Sequence, residues 1–138
     1  MLSIDTNTMT IAVTRGDTAN IVFSAVQSDG TTYVPVTGDK LKFSVAKKVG
    51  ADPLGTVETV KTATNTIDAF WTIVIGGAFW YEKDAEGNVS DPPVDLFKFK
   101  DYVWDVQLTS STGQVDTIIG ATDDVQPTFR VLGEVATE

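Results

Sequence analysis

The chain contains no cysteine and no histidine. Without cysteine there is neither a disulfide framework nor a thiol nucleophile, and without histidine the usual general base near neutral pH is missing. The two absences also remove the side chains that hold most zinc and other transition-metal sites. Basic residues are scarce: 10 lysines and arginines stand against 19 aspartates and glutamates, a formal charge of −9. Such a field repels phosphate backbones, and the densest basic pair, Lys47-Lys48, does not line a groove, so no nucleic-acid partner is expected. No apolar run approaches the length needed to cross a bilayer. The opening MLSIDTNTMTIAV lacks the basic region and apolar stretch of a secretory signal, so the expectation is synthesis and folding in the cytoplasm with no membrane partner. A nucleophile elbow, a phosphate-binding loop and a dinucleotide fingerprint are all missing. Carboxylate pairs can do acid–base work, as in glycosidases. Here, however, the acidic residues sit beside turn signals, where solvated carboxylates belong. The chain is therefore expected to be no enzyme and to need no cofactor and no metal.

What is present points to sheets. At 138 residues a single domain spanning 1–138 buries roughly two-thirds of its unfolded surface and needs no staples. Val, Thr and Ile crowd nearly every block, and their stiff χ1 torsions suit a pleated surface. In Lys40-Leu41-Lys42-Phe43-Ser44-Val45 the apolar residues alternate with polar ones, the period of a half-buried strand. Tyr102, Trp104, Val106 and Leu108 repeat the pattern, as do Ile67, Ala69, Trp71, Ile73 and Ile75. Shorter versions are Met9-Ile11-Val13, Ile21-Phe23-Ala25, Val115-Thr117-Ile119 and Phe129-Val131. Turn signals separate the runs: Gly16-Asp17, Ser28-Asp29-Gly30 and Ser111-Thr112-Gly113. About seven or eight short antiparallel strands predict an all-β sandwich, with a closed barrel as the structural alternative. Any helix is expected to be a single turn.

Residues 76–95 break this rhythm. The stretch opens on Gly76-Gly77, carries Phe79, Trp80 and Tyr81 together, and runs through a polar segment to Pro92-Pro93. It is expected to be a long insertion or extra hairpin projecting from the sandwich. Three consecutive aromatics cannot all face one core from a strand. Either they form a small core beneath the insertion, or they anchor an interface, where Trp and Tyr are enriched. Trp71 and Trp104 lie in regular alternation and are expected in the core. Arg15-Gly16-Asp17 has the form of an adhesion tripeptide, but between two strand patterns a structural turn is the stronger expectation. Residues 84–91 place oxygen-bearing side chains faintly like a calcium loop, with Gly87 and Asp95 off the expected positions; the plainer expectation is a solvated hairpin tip. Asp123-Asp124 is expected to mark a turn.

Several stretches together resemble a known family. Thr14-Arg15-Gly16-Asp17-Thr18, followed by Asn20-Ile21-Val22-Phe23, is similar to the opening strand–turn–strand of the N-terminal domain of phage upper-baseplate proteins and related stand-alone prophage tail proteins. Leu41 to Lys48 resembles a later strand of that family. Tyr102 to Leu108, the turn at Gly113 and Val115 to Gly120 resemble its hairpin, and Val125 to Val131 its last strand. The insertion at 76–95 is longer than the family pattern, and residues 121–124 make a looser entry into the last strand. The resemblance implies an immunoglobulin-like β-sandwich acting as a structural or adaptor module of a virion tail or baseplate. It implies other phage tail proteins and further copies of the chain as partners, and carries over no catalytic residue. The alternative function is a carbohydrate- or surface-binding module with Trp80 and Tyr81 as a stacking platform.

Overall fold

The alternating runs become strands in a computed structural model, which describes residues 2–5, 9–24, 29–64, 71–98, 100–119 and 126–133. There are nine among those residues: β1 (Leu2–Asp5), β2 (Thr10–Thr14), β3 (Ala19–Phe23), β4 (Lys40–Ala46), β5 (Pro53–Val60), β6 (Trp71–Ile75), β7 (Asp101–Thr109), β8 (Val115–Ile119) and β9 (Thr128–Leu132). A single 3-10 turn at Gly77–Trp80 is the one helical piece among them. The strands form an all-β sandwich. The larger sheet runs β1-β2-β9-β7-β4-β5 with β8 also on β7, and β3 pairs with β6 in the smaller one.

Two details depart from expectation. The count exceeds the seven or eight read from alternation, because β1 and β5 carry no clean period of two. In β5 the sequence Pro-Leu-Gly-Thr looks like a turn, yet Gly55 occupies an inward position for a packing reason. A Cβ built there would stand 2.8 Å from the Phe79 ring and 3.0 Å from Phe97. The aromatic rings fill the space a side chain would need. The second departure is that the sandwich is not purely antiparallel: β2 and β9 pair in parallel from Thr10↔Thr128 to Thr14↔Leu132.

β7 organises the large sheet. One edge pairs with β4 from Val103 to Thr109. The other is shared end to end, β9 covering Asp101–Val103 and β8 covering Val106–Thr109. From Val103 to Val106 β7 advances three residues, while the facing chain spends nine from Ile119 to Thr128. β8 and β9 therefore meet the same edge of β7 at different points along it. Val115 is 55% exposed, so the alternation expected of Val115 and Thr117 does not face the core. Ala25, Ile67, Ala69, Gly120 and Asp123-Asp124 lie outside the described residues.

Between the sheets lie Ile11, Val13, Leu41, Phe43, Val45, Trp104, Val106, Phe129 and Val131 from one side and Ala19, Ile21, Phe23, Trp71, Ile73 and Ile75 from the other. Each fully buried large side chain contributes roughly 1.5–3 kcal/mol by leaving water. Trp71 and Trp104 are core residues, as their spacing predicts. The Trp104 indole N–H donates to the Met9 carbonyl at 3.0 Å. The Trp71 Nε1 is buried without a hydrogen-bond partner among the described residues, for which the packing gives no reason.

Among the described residues one charged side chain is also fully buried. Asp39, just before β4, accepts from the Tyr33 hydroxyl at 2.5 Å, the Val36 N–H at 3.0 Å and the Ser111 N–H at 2.9 Å. Burial alone would push its carboxyl up. The Tyr33 hydroxyl and the two backbone donors outweigh burial and hold it below the ordinary carboxylate range. Donating to Asp39 pushes the Tyr33 hydroxyl up to about 12, with its own burial and the carboxylate's charge adding to the effect. This carboxylate fastens the 33–39 loop to the β7–β8 turn. Between them the two segments close one end of the sandwich.

Candidate functional site

The aromatic cluster is where a site was expected, and burial decides its role. A strand would have turned Trp80 away from Phe79 and Tyr81, but the 3-10 turn lets Phe79 and Trp80 point into the same core. Phe79 is 7% exposed and Trp80 is fully buried. Phe79 stacks on Phe97 at 5.2 Å between centroids, and Trp80 meets Phe97 edge-on at 5.8 Å. Phe129 touches Phe79, Trp80 and Phe97 on one side and Phe43 on the other, joining this cluster to the main core. An interface using Phe79 and Trp80 as exposed anchors is therefore corrected to a buried root beneath the insertion. Tyr81 is half-buried and packs against the same core. The stacking platform for sugars falls with it, because Trp80 presents no ring face to solvent.

Beyond that root the insertion is a hairpin-like excursion. Glu82 N–H donates to the Val94 carbonyl at 2.8 Å, and Leu96 N–H to the Trp80 carbonyl at 2.9 Å. Isolated bridges join Tyr81 to Asp95 and Lys83 to Val89. At the tip one Asp84 carboxylate oxygen accepts from the Glu86 and Asn88 N–H groups, at 3.0 and 2.9 Å. In the calcium-loop comparison this oxygen would be a ligand; here it caps its own turn. Among the described residues no three acidic side chains converge.

The Arg15-Gly16-Asp17 tripeptide is a turn that ties the insertion down. Asp17 N–H donates back to the Thr14 carbonyl at 3.1 Å, and Gly16 has φ 92°, which glycine adopts without penalty. The Arg15 guanidinium donates to the Phe97 carbonyl at 3.1 Å and pairs with Asp95 at 3.2 Å. The Trp80 indole N–H donates to the Asp17 carbonyl at 2.9 Å. The Arg15 side chain and the Asp17 backbone thus tie to the chain's own aromatic segment, an arrangement unlike a projecting adhesion loop. The sequence signal for this turn was the strand–Arg-Gly-Asp–strand order; its partners at Asp95 and Phe97 were not readable from spacing.

A further feature was not anticipated. On the outer face of the large sheet a depression of about 120 Å³ lies between β4, β7 and the β4–β5 loop. Ser44 and Ala46 of β4 and Val103 and Asp105 of β7 form its floor, Lys48 to Ala51 and Pro53 one wall, and Gln126-Pro127 the other. The register explains the hollow: Ala46 stands between Val103 and Pro53, and the ladder is irregular between Val45 and Ala46. Asp105 faces outward opposite Ser44. Burial pushes its carboxyl above the ordinary range, and nearby Lys42 offsets this only in part. The volume is far below the roughly 300–1,000 Å³ of small-molecule and cofactor sites. Alternation marked Asp105 only as an outward residue, so its environment could not be read from sequence.

No protein-family model matches the chain, and no curated protein is significantly similar to it. No helix among the described residues is long and apolar enough to cross a membrane.

Proposed function

We propose that the chain is a non-enzymatic structural or adaptor module of a phage or prophage tail or baseplate, working by contact with other tail proteins and with further copies of itself. It would be made in the bacterial host cytoplasm and reside in the virion. The observation that carries this reading is the way the family-like segments fall on one fold. The Arg-Gly-Asp turn, β3, β4 and the β7–β8 hairpin follow in the order the resemblance implies, around one immunoglobulin-like sandwich.

The arrangement of charge supports the same reading. Asp39, Arg15 and Asp84 are occupied by internal ties. Asp39 is ionised and saturated by donors, a poor proton shuttle, because acid–base catalysis needs a group poised near the working pH. The outward hollow beside Asp105, about 120 Å³, is far smaller than a site for a substrate with its own binding subsites. Exposed valines at Val22, Val74, Val34, Val36 and Val49 offer apolar area of the kind that protein contacts cover.

The test is the solution mass by light scattering over a concentration range, alone and co-expressed with the products of adjacent reading frames. A defined oligomer or a stoichiometric complex is the expected result. A particle that stays monomeric and binds none of those proteins overturns the proposal.

A further inference from the structure

The smaller sheet has one open edge. β3 pairs with β6 along one side, from Ala19↔Ile75 to Phe23↔Trp71. Along its other side no described residue forms a strand pair or a backbone hydrogen bond with it. The far side of β6 is met by β5, where the Thr59 hydroxyl donates to the Thr72 carbonyl at 3.4 Å. The sheet therefore ends at β3 in a row of N–H and C=O groups, and the macromolecular occupant such a row fits is another extended chain.

Sheet edges are ordinarily guarded by lysine, proline, an inward charge or a bulge. β3 has none of these: it reads Ala-Asn-Ile-Val-Phe, and its register with β6 runs without a shift. Neither strand of the small sheet contains a charged residue. On its solvent face Val22 stands opposite Thr72 and Val74 opposite Asn20, and both valines are more than half exposed.

That neutrality names the occupant. In a chain of net charge −9 most surfaces repel a second copy. The sequences of β1, β5 and β8 include Asp5, Glu58 and Asp116, so pairing any of them with its own copy puts two acids into one short ladder. β3 escapes that repulsion. A foreign segment drawn in by the negative field would be basic, and it finds no acid on either strand of this sheet.

We propose that the open edge of β3 docks the β3 of a second copy, antiparallel across a twofold axis, joining the two small sheets into one of four strands. Full overlap of the five-residue strands centres the pairing on Ile21, with Val22 of one copy opposite Asn20 of the other. The contact is isologous, so each copy offers the same patch. The inference rests on the reading of the chain as a protein-contact module and names the surface through which copies meet.

The test is light scattering of the full chain and its variants across concentration and salt. The expected result is a dimer that tightens as salt rises, because the remaining negative charge of each copy is screened. Val22→Lys and Val22→Glu, each at an exposed position, should each weaken the dimer at least tenfold by setting like charges diagonally across the axis. Mixing the two variants should restore it, which a poorly folded variant could not do. Val49→Lys, at a position 61% exposed on the opposite sheet's side, should leave the dimer unchanged. An assembly that ignores both Val22 substitutions overturns the inference and leaves the module reading standing. So does a chain that stays monomeric yet binds the products of adjacent reading frames. A monomer that binds none of them overturns both.

Discussion

The two ends of the sandwich are closed by opposite chemistries. At the end where β4 begins and β7 finishes, a single buried carboxylate gathers a hydroxyl and two backbone N–H groups from two loops. At the end where β7 begins, Phe79, Trp80, Phe97 and Phe129 pack face and edge, with Arg15 pairing at the rim. The first closure is directional and depends on protonation. The second is made mainly by area and shape, which do not titrate. A chain with no disulfide can therefore secure one end by hydrogen bonds to a charge and the other by aromatic burial.

The strongest way to break the aromatic end is Trp80→Ala. Loss of a fully buried indole should cost about 3–5 kcal/mol, measured by denaturant unfolding. The same change at an exposed position would cost almost nothing, so a loss under about 1 kcal/mol would contradict the burial described here. Asp39→Ala attacks the other end. It leaves three donors without their acceptor and should cost about 2–4 kcal/mol.

Acid separates the two ends more sharply. The Asp39 carboxyl is lower in the folded protein than in the unfolded chain. Its stabilisation is present in full above the ordinary value of about 4 and fades as pH falls through the lower folded value. Tyr33 has the reverse sense. Its contribution is complete below about 10 and is lost as pH rises through about 12. Asp39→Asn should flatten the acid limb of the stability curve and Tyr33→Phe the alkaline limb, whereas Trp80→Ala should lower the curve and keep its shape.

Gly55→Ala sharpens the comparison from within the aromatic end. A methyl placed 2.8 Å from Phe79 must displace a packed ring, and overpacking of this kind costs about 1–3 kcal/mol. Arg15→Ala should have the smallest effect, about 1 kcal/mol, because its partner Asp95 is half-exposed and such pairs are screened. It should be measurable at low salt and shrink at high salt.

The sheet was largely legible because its central strands obey a period of two. Leu41, Phe43 and Val45, or Tyr102 through Leu108, face the core as their alternation requires. β5 was not legible, since Gly55 stands where an apolar residue would mark the face, and the reason lies in rings from distant parts of the chain. The parallel pairing of β2 with β9 was hidden for the same reason: no local pattern states the direction of a neighbour. The aromatic cluster was recognised as exceptional, but its burial depended on a 3-10 turn that sequence alternation does not encode. Asp39 and Asp105 are both aspartates near strand patterns. Only packing makes one a saturated knot and the other an unpartnered charge.

The parallel ladder between β2 and β9 has a mechanical meaning. Thr10 lies beside Thr128 and Thr14 beside Leu132, so the chain enters β2 at one end of the ladder and leaves β9 at the other. A load entering at Thr10 and leaving at Leu132 pulls the two strands past each other along their length. All of the evenly spaced hydrogen bonds then resist together, where an antiparallel hairpin pulled from its open end yields one rung at a time. Single-molecule pulling from these two points should meet a higher unfolding force than pulling across the β7–β8 hairpin. In that geometry the grip lies in the ladder between two short strands far apart in sequence.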